Sequence, residues 1–291
     1  MSEVDAPRRT GVWLFLLIAF GWSWAVAGFA YQQGGASMAL GLAIVYMTGP
    51  GVSAFICALI YARDRFFASL GLARNPFNFW LLVAFLTPVA ITAAAWIFTV
   101  YIGGQETLSL GDAYAREFEK AGVDVETLPL PPEQIAIIQL AAAPFIAGIV
   151  NTIIMMLTEE VGWRGWLWDR WRGLGFWRHA LLTGFIWGVW HAPIVAMGHN
   201  YPGMPVWGPV MFIGWTMLVT PVIALIRERG GSMMHAAMFH GVLNGVAPIT
   251  IIILADPSMP WRGVVGLGGF AALAAATALV FFYTLASPRR N

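Results

Sequence analysis

Ile153-Ile154-Met155-Met156-Leu157-Thr158-Glu159-Glu160-Val161-Gly162-Trp163-Arg164 sets two adjacent carboxylates and a guanidinium at the end of an apolar run. Only 11% of the 291 residues are charged and the mean hydropathy is +0.71. A Glu-Glu pair in such a run either has partners or is kept for chemistry. Arg164 stands four residues after Glu160, one helical turn along the same face, and can neutralise it. Glu159 projects about 100° away and is left to face something else. Two other apolar segments carry polar groups, Trp187-Gly188-Val189-Trp190-His191 and His240-Gly241-Val242-Leu243-Asn244.

A chain that is 59% hydrophobic, with 15 Trp and 19 Phe, has the composition of a membrane protein rather than of a soluble core. The net charge of +1, a pI near 8.0 and the lack of a basic patch interleaved with aromatics exclude nucleic acid as a partner. Cys57 is the single cysteine, so an internal disulfide and a thiolate metal cluster are both excluded; its apolar surroundings assign it to packing. Arg8-Arg9 precede an apolar run of about 20 residues with no convincing small-residue cleavage pattern. The first span is therefore read as retained rather than as a signal peptide.

Apolar runs long enough to cross a bilayer fall at about 11–31, 38–61, 79–102, 135–158, 179–198, 208–226, 233–255 and 263–285. The expected fold is an all-α, polytopic membrane helix bundle of about eight transmembrane helices, a single transmembrane domain over 1–291 with a motif-bearing core at about 135–255. All of the 16 basic residues except Arg116, Lys120 and Arg262 fall on one side of this arrangement, and Glu106, Asp112, Glu117, Glu119, Asp124, Glu126 and Glu133 share the long loop 103–133 on the other. The bias predicts both termini in the cytoplasm and an external 103–133 loop. An amphipathic helix over Ala113–Ala121 would make that loop a lid or spacer. Trp163–Trp177 mixes tryptophans with Arg164, Asp169, Arg170 and Arg172, as in a helix leaving the bilayer at headgroup level, which would carry the fourth helix past Glu160.

Helical rise tests whether the three polar groupings can meet. Glu160 is roughly 15 Å from Arg170, His191 roughly 20 Å beyond Arg178 and His240 roughly 17 Å beyond Arg229. The expected site therefore lies at one level, in the cytoplasmic half. Asn244 is one turn beyond His240 on the same face. Gly184, Gly188 and Ala192, and Gly241 and Gly245, supply the small-residue spacing that lets helices approach closely.

These residues resemble the CPBP family of intramembrane proteases, which includes the type II CAAX prenyl endopeptidases and the bacteriocin-processing or immunity (Abi) proteins. The family pattern is Glu-Glu-x-x-x-Arg, Phe-x-x-x-His and His-x-x-x-Asn or Asp on separate helices. Glu159-Glu160-x-x-x-Arg164 fits the first and His240-x-x-x-Asn244 the third; in the second, Trp187 stands where Phe is usual and His191 is in place. The resemblance implies a protease in which Glu159 and His191 activate a water, His240 and Asn244 polarise the scissile carbonyl, and Glu160 and Arg164 hold the first motif in shape. It further implies an integral protein of a bacterial or archaeal cell membrane.

Peptide hydrolysis needs a base for water, a proton for the leaving amine and donors for the oxyanion, and this set holds each. No Gly-x-Ser-x-Gly is present and Cys57 has no adjacent histidine, so a covalent nucleophile has little support. Two histidines and a glutamate could hold Zn²⁺ with an open position, but His-Glu-x-x-His is absent; the favoured expectation is a metal-free glutamate mechanism with Zn as the alternative. Trp163, Trp187 and Trp190 are assigned to the substrate cavity, and His179, His199 and His235 to the interface. The expected partners are the lipid bilayer and a peptide or membrane-anchored protein substrate, prenylated or carrying a leader, cleaved from the cytoplasmic side. The alternative is a non-catalytic scaffold or bacteriocin-immunity protein that binds through the same cavity. A transporter ranks third, since no internal repeat and no polar stripe across the membrane are seen.

Overall fold

The computed structural model describes residues 10–286. Both termini lie outside the described residues, as do Arg8, Arg9, Arg289 and Arg290 of the charge-bias argument. Among the described residues, eight helices are long and apolar enough to cross a membrane: Val12–Gln33, Ala43–Tyr61, Phe79–Ile102, Ile146–Leu174, Phe176–Ala196, Trp207–Gly230, Met233–Ile252 and Leu267–Ala286, hereafter the first to eighth spans. Among the described residues no strand occurs, only an isolated antiparallel bridge between Thr107 and Leu254. The chain is an all-α, multi-pass integral membrane protein, with the backbone satisfied inside each helix as hydrocarbon requires. The sixth and seventh spans are each 56% buried within the protein, the first and eighth only 28% and 22%. The former pair therefore forms the centre, and the latter the rim, where Leu17, Leu279 and Phe282 turn outward.

The fourth span differs most from its expected bounds of 135–158. Pro132–Ala142 is a separate helix, started by a proline at its first position. Pro144 then lacks the amide that would continue it, and the spanning helix runs from Ile146 to Leu174. Over Met156–Trp166 this helix widens into π geometry, the Leu167 amide bonding back five residues to the Gly162 carbonyl. Such wide turns are rare and concentrate at functional sites; this one contains the whole Glu159–Arg164 motif.

Small residues bring the helices together. A Cβ on Gly51 of the second span would lie 2.3 Å from the Leu157 carbonyl oxygen, and one on Gly162 2.7 Å from Pro50 Cβ. The glycines singled out in the sequence act in two pairings. Gly188 faces the sixth span, where a Cβ would meet Thr216 Oγ1 at 2.5 Å, and Gly241 faces the fourth, where it would meet the Thr152 amide nitrogen at 2.2 Å.

The 103–133 loop contains a helix at Leu110–Lys120, three residues earlier at its start than Ala113 because Ser109 caps it by accepting from the Asp112 amide. It is fastened rather than free. Arg116 donates to the carbonyls of Ile252, Leu254 and Ala255 at 2.6, 3.0 and 3.1 Å, and Ala113 and Tyr114 pack with Ala136, Ile252 and Ile253. The loop thus holds the far end of the seventh span.

Candidate active site

Glu160 and Arg164 are fully buried and paired, Arg164 Nη1 donating to Glu160 Oε1 at 2.7 Å. The same oxygen meets His240 Nδ1 at 2.8 Å, so the pair reaches from the fourth span to the seventh. A carboxylate held by a guanidinium accepts, which places the hydrogen on His240 Nδ1. The Arg164 guanidinium lies 4.5 Å from the Trp187 ring centroid, and its backbone carbonyl accepts from Arg227 Nε at 3.0 Å. Four spans are therefore tied through two side chains.

Glu159 points elsewhere. Its Oε2 accepts from Trp187 Nε1 at 2.8 Å, a bond that phenylalanine at that position would lack. His191 Nδ1 donates to the Trp187 carbonyl at 2.9 Å; because a carbonyl only accepts, the neutral ring keeps its lone pair on Nε2. The Trp187 ring packs edge-on to both imidazoles, 5.6 Å from His191 and 5.2 Å from His240 between centroids. One indole thus positions the carboxylate, its backbone sets the His191 tautomer, and its ring separates the two histidines.

Glu159, His191, His240 and Asn244 all line one cavity of about 310 Å³. Trp187 lines it too, whereas Trp163 and Trp190 are packed behind the wall: Trp163 against Phe15 and Trp190, Trp190 against Tyr46 and His191. The assignment of those two indoles to the cavity is corrected accordingly; aromatics next to a motif residue in sequence point away from it around the helix. The Trp190 carbonyl accepts from Tyr46 Oη and from Trp24 Nε1, so this wall locks the first two spans onto the fifth. The sequence reading missed His199 and Asn200, which follow the fifth span, and Phe212, Trp215, Val264 and Val265, all lining the cavity. His235 and His179 stay outside the site, each buried near the start of its span. His235 bonds Ser232 and Asn78, and His179 packs on Trp168.

The four polar groups share a cavity. His191 lies five residues from the end of the fifth span, roughly 7 Å, Glu159 near the middle of the fourth, and His240 nearer the start of the seventh than its end.

Glu160 Oε1 is shared by Arg164 and His240, Glu159 Oε2 is held by an indole, and the Trp187 ring stands against both imidazoles. Among the described residues no group of three or more His, Cys, Asp or Glu side chains is placed to hold a metal ion.

No curated protein matches the chain. A family model does, over less than half of the chain. Glu159, His191, His240 and Asn244 all fall within residues 141–246, the segment that matches the type II CAAX prenyl endopeptidase Rce1-like family, consistent with the CPBP family to which the three motifs pointed.

Proposed function

We propose that this protein is a CAAX-protease-type intramembrane endopeptidase that hydrolyses a peptide bond of a membrane-associated substrate with a water activated by Glu159 and His191. The observation that supports it is the meeting of one carboxylate, two imidazoles and one amide, from three spans, on a single cavity. The water loses a proton to Glu159 or to the free Nε2 of His191 as its oxygen bonds to the carbonyl carbon. That proton is then delivered to the leaving amine as the carbon–nitrogen bond breaks, which leaves a carboxylate and an amine as products.

The oxyanion is met by the Asn244 amide and by His240. With Nδ1–H directed at Glu160, a donor bond from His240 Nε2 requires a doubly protonated ring beside the buried Glu160 carboxylate. Glu160 and Arg164 act by holding that ring. The mechanism needs no metal, and the whole chain serves as one membrane domain.

Purified protein offered a panel of prenylated and unprenylated peptides is expected to cleave members of it and to lose that activity in Glu159→Ala. Equal cleavage by the two proteins would falsify the reading. Activity is expected to survive stringent chelation, and stoichiometric zinc lost together with activity would return the zinc alternative.

A further inference from the structure

The cavity has a direction, and it is written in five separate elements. Met47 lies near the start of the second span, whose far end leads to Arg63 and Arg65. His191, His199 and Asn200 lie at and beyond the end of the fifth span, which starts beside Arg178. Phe212 and Trp215 sit near the start of the sixth, whose far end carries Arg227 and Arg229. Along the seventh, Asn244, Ala247, Pro248 and Ile251 run away from the Arg229 end, and Val264 and Val265 precede the eighth span on that same side. Glu159, Trp187 and Asn244 stand near the middle of their spans and His240 nearer its arginine end, and from them the rest of the lining leads toward the end opposite the arginines.

Exposure follows the same direction. His240 is buried, whereas Asn244 and Pro248, one and two turns farther along, are exposed. On the arginine side of Glu159 the bundle is closed by Glu160, Arg164, Trp166, Leu167 and Leu70, all buried, with Arg227 bonded across to Arg164. Arg63, Arg65, Arg74, Arg170, Arg172, Arg178, Arg227 and Arg229 occupy the closed face; Arg116, Lys120 and Arg262 are the basic residues of the open one. Short arginine-rich loops stay in the cytoplasm.

We infer that the cavity takes its substrate from the non-cytoplasmic side, as a translocated segment of a membrane-anchored or exported polypeptide rather than a prenylated C-terminus presented by the cytosol. This rests on the endopeptidase reading for what happens to the substrate, but not for the side from which it comes.

Single cysteines in a Cys57→Ala background, probed with a membrane-impermeant thiol reagent in right-side-out and inside-out vesicles from cells producing the full chain, decide the side. The Arg63→Cys variant is expected to react only in inside-out vesicles. Met47→Cys and Ile251→Cys, from the second and seventh spans, are expected to react only in right-side-out ones. Reaction of the two cavity variants from the inside-out face, or from neither face, overturns the inference. A second arm adds a quenched apolar peptide with charged, impermeant ends, and its farnesylated counterpart, to each vesicle type. Cleavage is expected in right-side-out vesicles and its loss in inside-out ones; the reverse, or cleavage of the farnesylated peptide alone from the inside-out face, overturns the inference while leaving the endopeptidase reading standing. Should detergent-solubilised protein cleave neither peptide, the endopeptidase reading fails and thiol labelling still decides the side.

Discussion

Glu159 and Glu160 are neighbours with separate environments, and the difference comes from what each oxygen touches. Glu160 sits in a closed ion pair with Arg164 and His240, so Glu160→Ala leaves a buried guanidinium without its partner. Breaking such a pair costs about 3–5 kcal/mol, and a lowered thermal midpoint in detergent together with lost activity is the expected outcome. Trp187→Phe removes one hydrogen bond from Glu159 and keeps an aromatic ring between the histidines. A bond to a charged group contributes about 1.5–3 kcal/mol, so kcat should fall by about tenfold or more with little change in thermal midpoint. An unchanged kcat would mean that the indole N–H does not position the carboxylate. The two glutamates, Arg164, His191, His240 and Asn244 were legible because ionisable and amide groups are conspicuous in apolar runs. The bond from Glu160 to His240 was not, since helical spacing reports neighbours within one helix and says nothing of which face the next helix presents.

Between elements, contact is set by glycines whose missing side chains admit another backbone. Gly241→Ala would place a methyl 2.2 Å from the Thr152 amide nitrogen and drive the seventh span from the fourth, whereas a methyl on Gly28 of the first span meets nothing within 4 Å. Overpacking costs about 1–3 kcal/mol. Gly241→Ala should therefore lower both thermal midpoint and activity while Gly28→Ala leaves them unchanged; two equal variants would contradict this packing. Arg116→Ala removes three hydrogen bonds from the end of the seventh span, and faster proteolysis within 103–133 than in the wild type is the expected readout. Span number and most boundaries were readable from apolar run length. The start of the fourth span was not, because Pro144 breaks the apolar run; its continuation past Glu160 was, from the mixed tryptophan and arginine stretch that follows, and the span does run from Ile146 to Leu174.

Across the whole molecule, a ring of arginines closes one end of the bundle and a cavity lined by Glu159, His191, His240 and Asn244 lies toward the other. Charge bias was visible in the sequence, and so were the four polar groups; the apolar part of the lining, Phe212, Trp215, Val264 and Val265, was not, because such residues do not stand out in apolar runs. The central claim is that Glu159 receives the proton of the attacking water while Glu160 holds the frame. Glu159→Gln tests it most directly, since the amide keeps the size of the side chain and an oxygen for the Trp187 bond but cannot take the proton. Peptide cleavage by purified Glu159→Gln of unaltered thermal midpoint should be slower than wild type by about 10²–10⁴-fold, the usual contribution of a general base. A cleavage rate equal to wild type would contradict the account.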